Sequence, residues 1–396
     1  MDCPHRTLAA TALSAITTLL LAATPAAAQM PFAPFGARQV ALGGASVGLG
    51  GDPGGFVDNP GLLPAATYGG VASYGQVAAS SNGFVPLLDG VTGRDPAELA
   101  RPGNPDAASV RANLTALSAP GTSVLGDGRS AVATVLNGWG VFVGSVIYSA
   151  AVARTDLVHV ASGYDPATSF AANDSVVAFR ALSLQDYAVS RSLPLFDGAL
   201  VLGVTGHFTR GTTGIKEESA FVTDVGKLTT FVRRGTTGLE RTRSRWSWDA
   251  GAAIHIGVLT LGGVMKGVNR PQFPFDDDAP PEDRGTTVVV GRQTRVGASF
   301  VIPGIRMTVA ADLDLDKNET LAEGQLSRTA GGGIELPLGR FDLRGGVSVN
   351  LEAPDRPYVY SFGFGFGSDK AKLEAAGTYR SQDRAYGGVL TTRFGF

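Results

Sequence analysis

The run Arg306-Met307-Thr308-Val309-Ala310-Ala311-Asp312-Leu313-Asp314-Leu315 alternates without a slip. Arg306, Thr308, Ala310, Asp312 and Asp314 fall on one face, and Met307, Val309, Ala311, Leu313 and Leu315 on the other. A period of two belongs to an extended strand, whose successive side chains point to opposite sides. The pattern returns at 341–352, where Phe341, Leu343, Val347, Val349 and Leu351 oppose Asp342, Arg344, Ser348, Asn350 and Glu352. It returns again at 370–380, where Leu373, Ala375 and Tyr379 oppose Lys372, Glu374, Thr378 and Arg380. A soluble sandwich also alternates, but here charge recurs on the polar face and is absent from the other. Lipid outside and water inside ask for that arrangement. The predicted fold class is all-β, a transmembrane antiparallel β-barrel of the bacterial outer membrane.

Composition agrees. The chain has 396 residues, 44% of them hydrophobic, and a mean hydropathy of only +0.11, too polar for a bundle of spanning helices. A net charge of −2 gives no electrostatic footprint for nucleic acid. The 54 glycines suit tight turns and closely approaching strands more than long helices. Residues 1–28 read as a secretory signal peptide: Arg6, an apolar core from Leu8 to Ala23, then Ala26-Ala27-Ala28 before Gln29. Cys3, the sole cysteine, precedes that core, so the mature chain has no disulfide, thiol nucleophile or cysteine metal site.

From Ala131 to Ala153 the chain carries no charge, long enough for a spanning helix. Asn137-Gly138 divides it, and both residues accept the positive φ of a two-residue hairpin, so two strands are predicted. Fourteen strands follow from the same reasoning, at 67–80, 129–136, 139–152, 176–192, 198–210, 244–256, 258–268, 288–302, 305–315, 325–337, 341–351, 358–367, 370–380 and 386–396. Their connections alternate between short and long, as tight periplasmic turns and longer outer loops do. The even number places both termini in the periplasm. The stretch 211–243 has room for strand extensions or a further hairpin. Residues 81–128 carry helix signals, with Asn104 as cap, Pro105 at the first position, and Val110, Leu114 and Leu117 on one face. That helix either shields the barrel mouth or packs as a surface insertion. Tyr68, Trp139, Tyr148, Trp246, Trp248, Tyr358, Tyr360 and Phe396 lie near strand ends and suit an interfacial belt.

Residues 30–65 differ in kind: Gly36-Ala37-Arg38, then Val40-Ala41-Leu42-Gly43-Gly44-Ala45, Gly50-Gly51-Asp52-Pro53 and Asp58-Asn59-Pro60-Gly61-Leu62. The segment resembles the N-terminal signature of the long-chain fatty-acid transporter (FadL-like) family, with Asn59-Pro60-Gly61 where that family has Asn-Pro-Ala. The resemblance implies a small hatch over 29–65, with Asn59, Pro60 and Gly61 as hatch or gating residues, inside a barrel formed by 66–396. It also implies passive passage of a small hydrophobic ligand. Gly262-Gly263-Val264-Met265-Lys266-Gly267-Val268 and Ala311-Asp312-Leu313-Asp314-Leu315-Asp316-Lys317-Asn318-Glu319 are similar to a TraF-like conjugal-transfer branch, which implies a structural role in conjugation or surface secretion. Leu390, Phe394 and the final Phe396 resemble the signal read by the barrel-assembly machinery, although Thr391 stands where a glycine is usual.

Catalytic and metal motifs are weak. Gly44-Ala45-Ser46-Val47-Gly48 fits a nucleophile elbow but lacks the strand, helix and partners that such an elbow needs. Asp312, Asp314, Asp316 and Asn318 begin like a calcium loop, yet Lys317 stands at the glycine position, and aspartates on a lumen face explain the spacing. Asp276-Asp277-Asp278 reads as a solvated outer loop. His159, His207 and His255 show no short-range ligand spacing, and His255 falls on the polar face of its strand. No cofactor, metal or catalytic residue is predicted. Three functions remain: a channel for small hydrophobic molecules in the outer-membrane lipid, a non-enzymatic assembly component, and a membrane enzyme whose triad is not visible.

Overall fold

The computed structural model describes residues 34–50, 54–65, 70–81, 83–136, 138–163, 165–223, 239–275, 279–280, 287–322, 324–353, 358–368, 370–380 and 385–395. The signal-like residues 1–28 lie outside them, as do Tyr68, Asn137, Asp276 to Asp278 and Phe396.

Fourteen long strands make the wall. They are β1 (Gly70–Ser80), β2 (Ser123–Leu136), β3 (Trp139–Arg154), β4 (Val176–Leu195), β5 (Leu200–Ser219), β6 (Leu239–Ile256), β7 (Leu259–Lys266), β10 (Gln293–Ile302), β11 (Met307–Asp314), β14 (Thr329–Leu338), β15 (Phe341–Asn350), β16 (Tyr358–Gly367), β17 (Ala371–Arg380) and β18 (Ala385–Gly395). All pair antiparallel, and the sheet closes where β1 meets β18, with Gly70 opposite Gly395 and Ala79 opposite Tyr386. Closure leaves no unpaired edge, the condition for a sheet to cross a bilayer.

Alternation decides which side each residue meets. Along β11, Thr308, Ala310, Asp312 and Asp314 are buried, whereas Val309 and Leu313 are exposed. Along β16, Phe362, Phe364 and Phe366 project outward. Exposed Leu343, Val347, Leu373 and Leu390 continue that outer apolar band, which is where lipid lies in an outer-membrane barrel. Trp139, Phe341 and Phe394 face outward near the short turns; Trp246, Tyr358, Tyr360, Tyr379 and Tyr386 do so nearer the long loops. Tyr148 departs from the belt predicted for it. It lies on the inward parity of β3 beside Arg129, because the residues opposite it and diagonal to it, Asp127 and Arg129, also face the lumen.

The stretch left open at 211–243 holds strand extensions, since β5 runs on to Ser219 and β6 starts at Leu239. The strand predicted at 288–302 is divided. Its wall portion begins at Gln293, and β9 (Thr287–Val289) pairs instead with β8 (Gln272–Pro274). Phe273, Phe275 and Val288 are apolar enough to fold this hairpin inward against Val146, Leu182 and Leu184. A second small pair, β12 (Asn318–Glu319) and β13 (Leu326–Ser327), sits in the β11–β14 connection.

The excursion after β1 carries α3 (Phe84–Asp89), α4 (Pro96–Leu99) and α5 (Ala107–Leu117). Val110, Leu114 and Leu117 share the buried face of α5 as predicted, packed with Phe84, Leu88, Phe170 and Phe179. The start of α5 is later than its sequence suggests. Asn104 Oδ1 accepts the Asp106 amide at 2.8 Å, and this local turn uses the side chain before the helix begins.

Candidate functional site

Residues 34–50 and 54–65 lie against the inside of the wall. Within them, α1 (Ala37–Ala41), α2 (Gly55–Asp58) and the 3-10 turn Pro60–Ala65 are too short to stand alone, so their order comes from what they touch. Ala41 and Leu42 lie against Gly363, Gly333 and Gly346, Gly48 against Ala298, Pro60 against Gly203, and Phe56 against Gly140. Gly43, at φ +68°, turns the chain where any side chain would meet the Val347 carbonyl. Gly262 is the tightest point, because a Cβ there would overlap the Val47 carbonyl.

Polar groups hold the segment as well. Arg38 places Nε and Nη2 on the two Glu335 oxygens, each at 2.8 Å, the paired geometry that guanidinium and carboxylate share. Asp312 Oδ2 accepts the Ser46 and Val47 amides at 2.7 and 3.0 Å. Asn59 Nδ2 donates to the Val47 carbonyl at 2.7 Å and across to Ala252 at 3.0 Å, while its Oδ1 accepts the Gly61 amide at 2.9 Å. Asn59, Pro60 and Gly61 therefore sit where the segment meets β5 and β6. Both stretches that carry the TraF-like similarity face this segment: Gly262 and Val264 meet Val47, Lys266 lies 3.6 Å from Asp58 Oδ1, and Asp312 receives the two amides.

The remaining motifs take other roles. Ser46 lies in a turn, its hydroxyl 3.4 Å from Asp312, without the helix that an elbow needs. Asp314 accepts Arg295 Nε at 2.6 Å and the Thr329 amide at 2.8 Å, and Asp316 accepts the Thr294 amide at 2.8 Å. These aspartates face three different sets of donors. Among the described residues no group of three or more His, Cys, Asp or Glu is arranged to hold a metal ion. His255 Nδ1 lies 3.2 Å from Thr260 Oγ1 on the lumen side. Phe394 points outward from β18.

Among the described residues, a pair of cavities in the lumen bears on function. The outer one, about 270 Å³, is bounded by the ends of β1, β2, β3, β17 and β18 near the long loops and by Leu321. The inner one, about 150 Å³, lies between the N-terminal segment and the wall. Phe35, Val57, Phe142, Val146, Leu184, Phe273 and Val290 supply its apolar side, and Asp186, His207, Asp249 and Lys266 its polar side. His207 Nδ1 is 2.8 Å from Asp186 and Nε2 is 3.1 Å from Asp249, so the ring lies between two carboxyl groups. This cluster escapes a reading of motifs, since its three members come from β4, β5 and β6. Inward parity was readable for each, but their juxtaposition needs the strand register, with Asp186 opposite Thr209 and Asp249 opposite Thr205.

The model of the family described as "F plasmid transfer operon, TraF, protein" matches residues 97–314, more than half of the chain. The chain belongs to the TraF family. No curated protein sequence is similar enough to count as a match. Among solved structures, this TraF-family chain resembles the TodX monoaromatic hydrocarbon channel ΔS2 mutant, with a TM-score of 0.50 and 10% identity over 91% of this chain and 99% of the other. The toluene transporter TbuX of Ralstonia pickettii gives 0.49 and 12% identity over 91% and 98%. The toluene transporter TodX of Pseudomonas putida gives 0.45 and 11% identity over 93% and 98%. At these identities the likeness is one of fold.

Asp58 supplies a prediction. It is fully buried, and desolvation pushes its carboxyl up to about 6 against the opposing pull of Lys266 and Arg295. The docked segment thus favours the protonated acid. Docking is strongest below about pH 4, the carboxyl's value in water, and weakens as pH rises through about 6, by about 3 kcal/mol in all. Protease cleavage within 34–65 should be slower at pH 4.5 than at pH 7.5, and Asp58→Asn should flatten that difference. A wild-type segment equally protected at both pH values would contradict the assignment.

Proposed function

We propose that this protein is a passive, non-enzymatic channel for small hydrophobic molecules, with residues 34–65 acting as a hatch and Asn59, Pro60 and Gly61 fastening it to the wall. The observation that carries this reading is the inner cavity, apolar on one side and lined jointly by the segment and the barrel. A volume near 150 Å³ suits about one six-membered ring. Support also comes from the shared fold with a protein described as a monoaromatic hydrocarbon channel.

Reconstitution of the mature protein in liposomes tests it, assaying uptake of long-chain fatty acids and small aromatics against a heat-denatured control. Saturable uptake that depends on residues 34–65 is the expected result. Deleting that segment should raise leakage while leaving the barrel assembled, since strand pairing closes the wall without it. A folded barrel that takes up nothing, or a deletion with unchanged conductance, would sink the corresponding part.

Membership of the TraF family favours a second reading, a structural component of conjugation or surface secretion. Under it, the helical excursion after β1, packed on Phe84, Leu88, Leu114 and Phe170, would carry the face presented to partners. Pull-downs with conjugation or secretion components decide between the two. In either case Phe394 and Phe396 are proposed to be read by the barrel-assembly machinery.

A further inference from the structure

The two cavities have only two lining residues in common, Arg129 and Tyr148. Both project inward from the wall, where Asp127 stands opposite Tyr148 and Arg129 opposite Val146. The Arg129 guanidinium lies 5.3 Å from the centre of the Tyr148 ring and 5.7 Å from that of Phe35. Phe35 belongs to the N-terminal segment, so one cation bridges the segment and the wall through two aromatic faces. Asp127 Oδ2 accepts Arg129 Nε at 2.9 Å and holds the group in place. Phe35 is backed in turn by Phe142, with ring centres 5.3 Å apart.

We infer that Arg129 is the specificity-determining residue at the constriction between the outer and inner cavities, and that it selects planar aromatic rings over saturated rings of the same size. The inference rests on the channel reading for its direction of travel but not for its chemistry. Arg129 and Tyr148 border both cavities, so on this inference a guest moving from one to the other displaces the guanidinium from one of its rings. An aromatic guest replaces the lost contact, because its own face attracts the cation through the ring quadrupole. A saturated ring has no such face, and it sets only hydrocarbon against the guanidinium where an aromatic face had been. Asp127 cancels the charge at the constriction, which favours a neutral guest over an anion.

The test compares benzyl alcohol with cyclohexylmethanol, which share the hydroxymethyl group and nearly the same size. Equilibrium dialysis against the mature, detergent-folded protein reads binding, and liposome uptake reads passage. Wild type should prefer benzyl alcohol by about 2- to 30-fold, the span a cation–π contact covers. Arg129→Met should abolish the preference, Arg129→Lys should keep part of it, and Tyr148→Phe should keep most of it. If Arg129→Met does not fold, Arg129→Met with Asp127→Asn removes the stranded carboxylate and asks the same question. Equal binding of both alcohols by wild type, or an undiminished preference in Arg129→Met, would overturn the inference even if uptake proceeds. Preferential binding without uptake would uphold the selectivity of Arg129 and refute the channel instead.

Discussion

Gly262→Val should open the barrel. The substitution puts a branched side chain where the Val47 carbonyl lies against β7, so the segment has to move and the wall does not. Overpacking a fitted contact costs about 1–3 kcal/mol when side chains can adjust. The obstruction here is backbone, held by the bonds of Asp312 to the Ser46 and Val47 amides and of Asn59 to the Val47 carbonyl. Relief therefore comes by undocking. The expected phenotype is a folded, heat-modifiable barrel with raised conductance and faster entry of small polar dyes into liposomes. Gly263→Val is the matched control, since a Cβ at Gly263 meets nothing within 4 Å, and it should leave conductance unchanged. A closed Gly262→Val barrel would mean that this segment does not occlude the lumen at β7.

Arg344→Met should have the largest effect on the stability of the wall itself. Arg344 is buried on β15 and touches three carboxylates: Glu335 at 2.6 Å, Glu374 at 2.7 Å and Asp342 at 2.9 Å. Each keeps another cation, respectively Arg38, Arg393 and Lys372. Removing one partner from a buried ionic group costs about 3–5 kcal/mol, because the remaining charge cannot return to water. The residual pairs place the expected loss at the lower end of that range. Urea unfolding in detergent, followed by the loss of the fast-migrating folded form, should shift to markedly lower denaturant. Arg344→Met with Glu374→Gln should recover part of the loss by removing one stranded charge. By contrast, Arg38→Met should loosen only the N-terminal segment and raise leakage, since Glu335 still holds Arg344. An unfolding midpoint unchanged in Arg344→Met would refute a supporting role for the cluster.

Much of this architecture is written in residue type and order. Leu373, Ala375 and Tyr379 against Lys372, Glu374 and Thr378 state which side of a strand is wet, and that information is local. The wall strands, the hairpin at Gly138 and the apolar face of Val110, Leu114 and Leu117 need only near neighbours in the chain. Parity also put Asp312, Asp314 and His255 on the inner face without a partner in view.

What parity cannot supply is register and curvature, which depend on the closure of fourteen strands around one axis. Tyr148 looked like a belt aromatic because it is a tyrosine near a strand end. Only the β2–β3 register places it inside, opposite Asp127 and beside Arg129. The hairpin formed by 272–274 and 287–289 likewise reads as loop and strand until Phe273 and Val288 find an apolar lumen to enter. His207, Asp186 and Asp249 are separated along the chain and meet only because β4, β5 and β6 pair as they do. The sequence by itself determined a closed, lipid-facing barrel with a distinct N-terminal segment, since alternation and turn chemistry are properties of short stretches. The tertiary structure alone decided where that segment docks, which charges share a site and where the cavities lie, because each depends on atoms brought together from opposite sides of the wall.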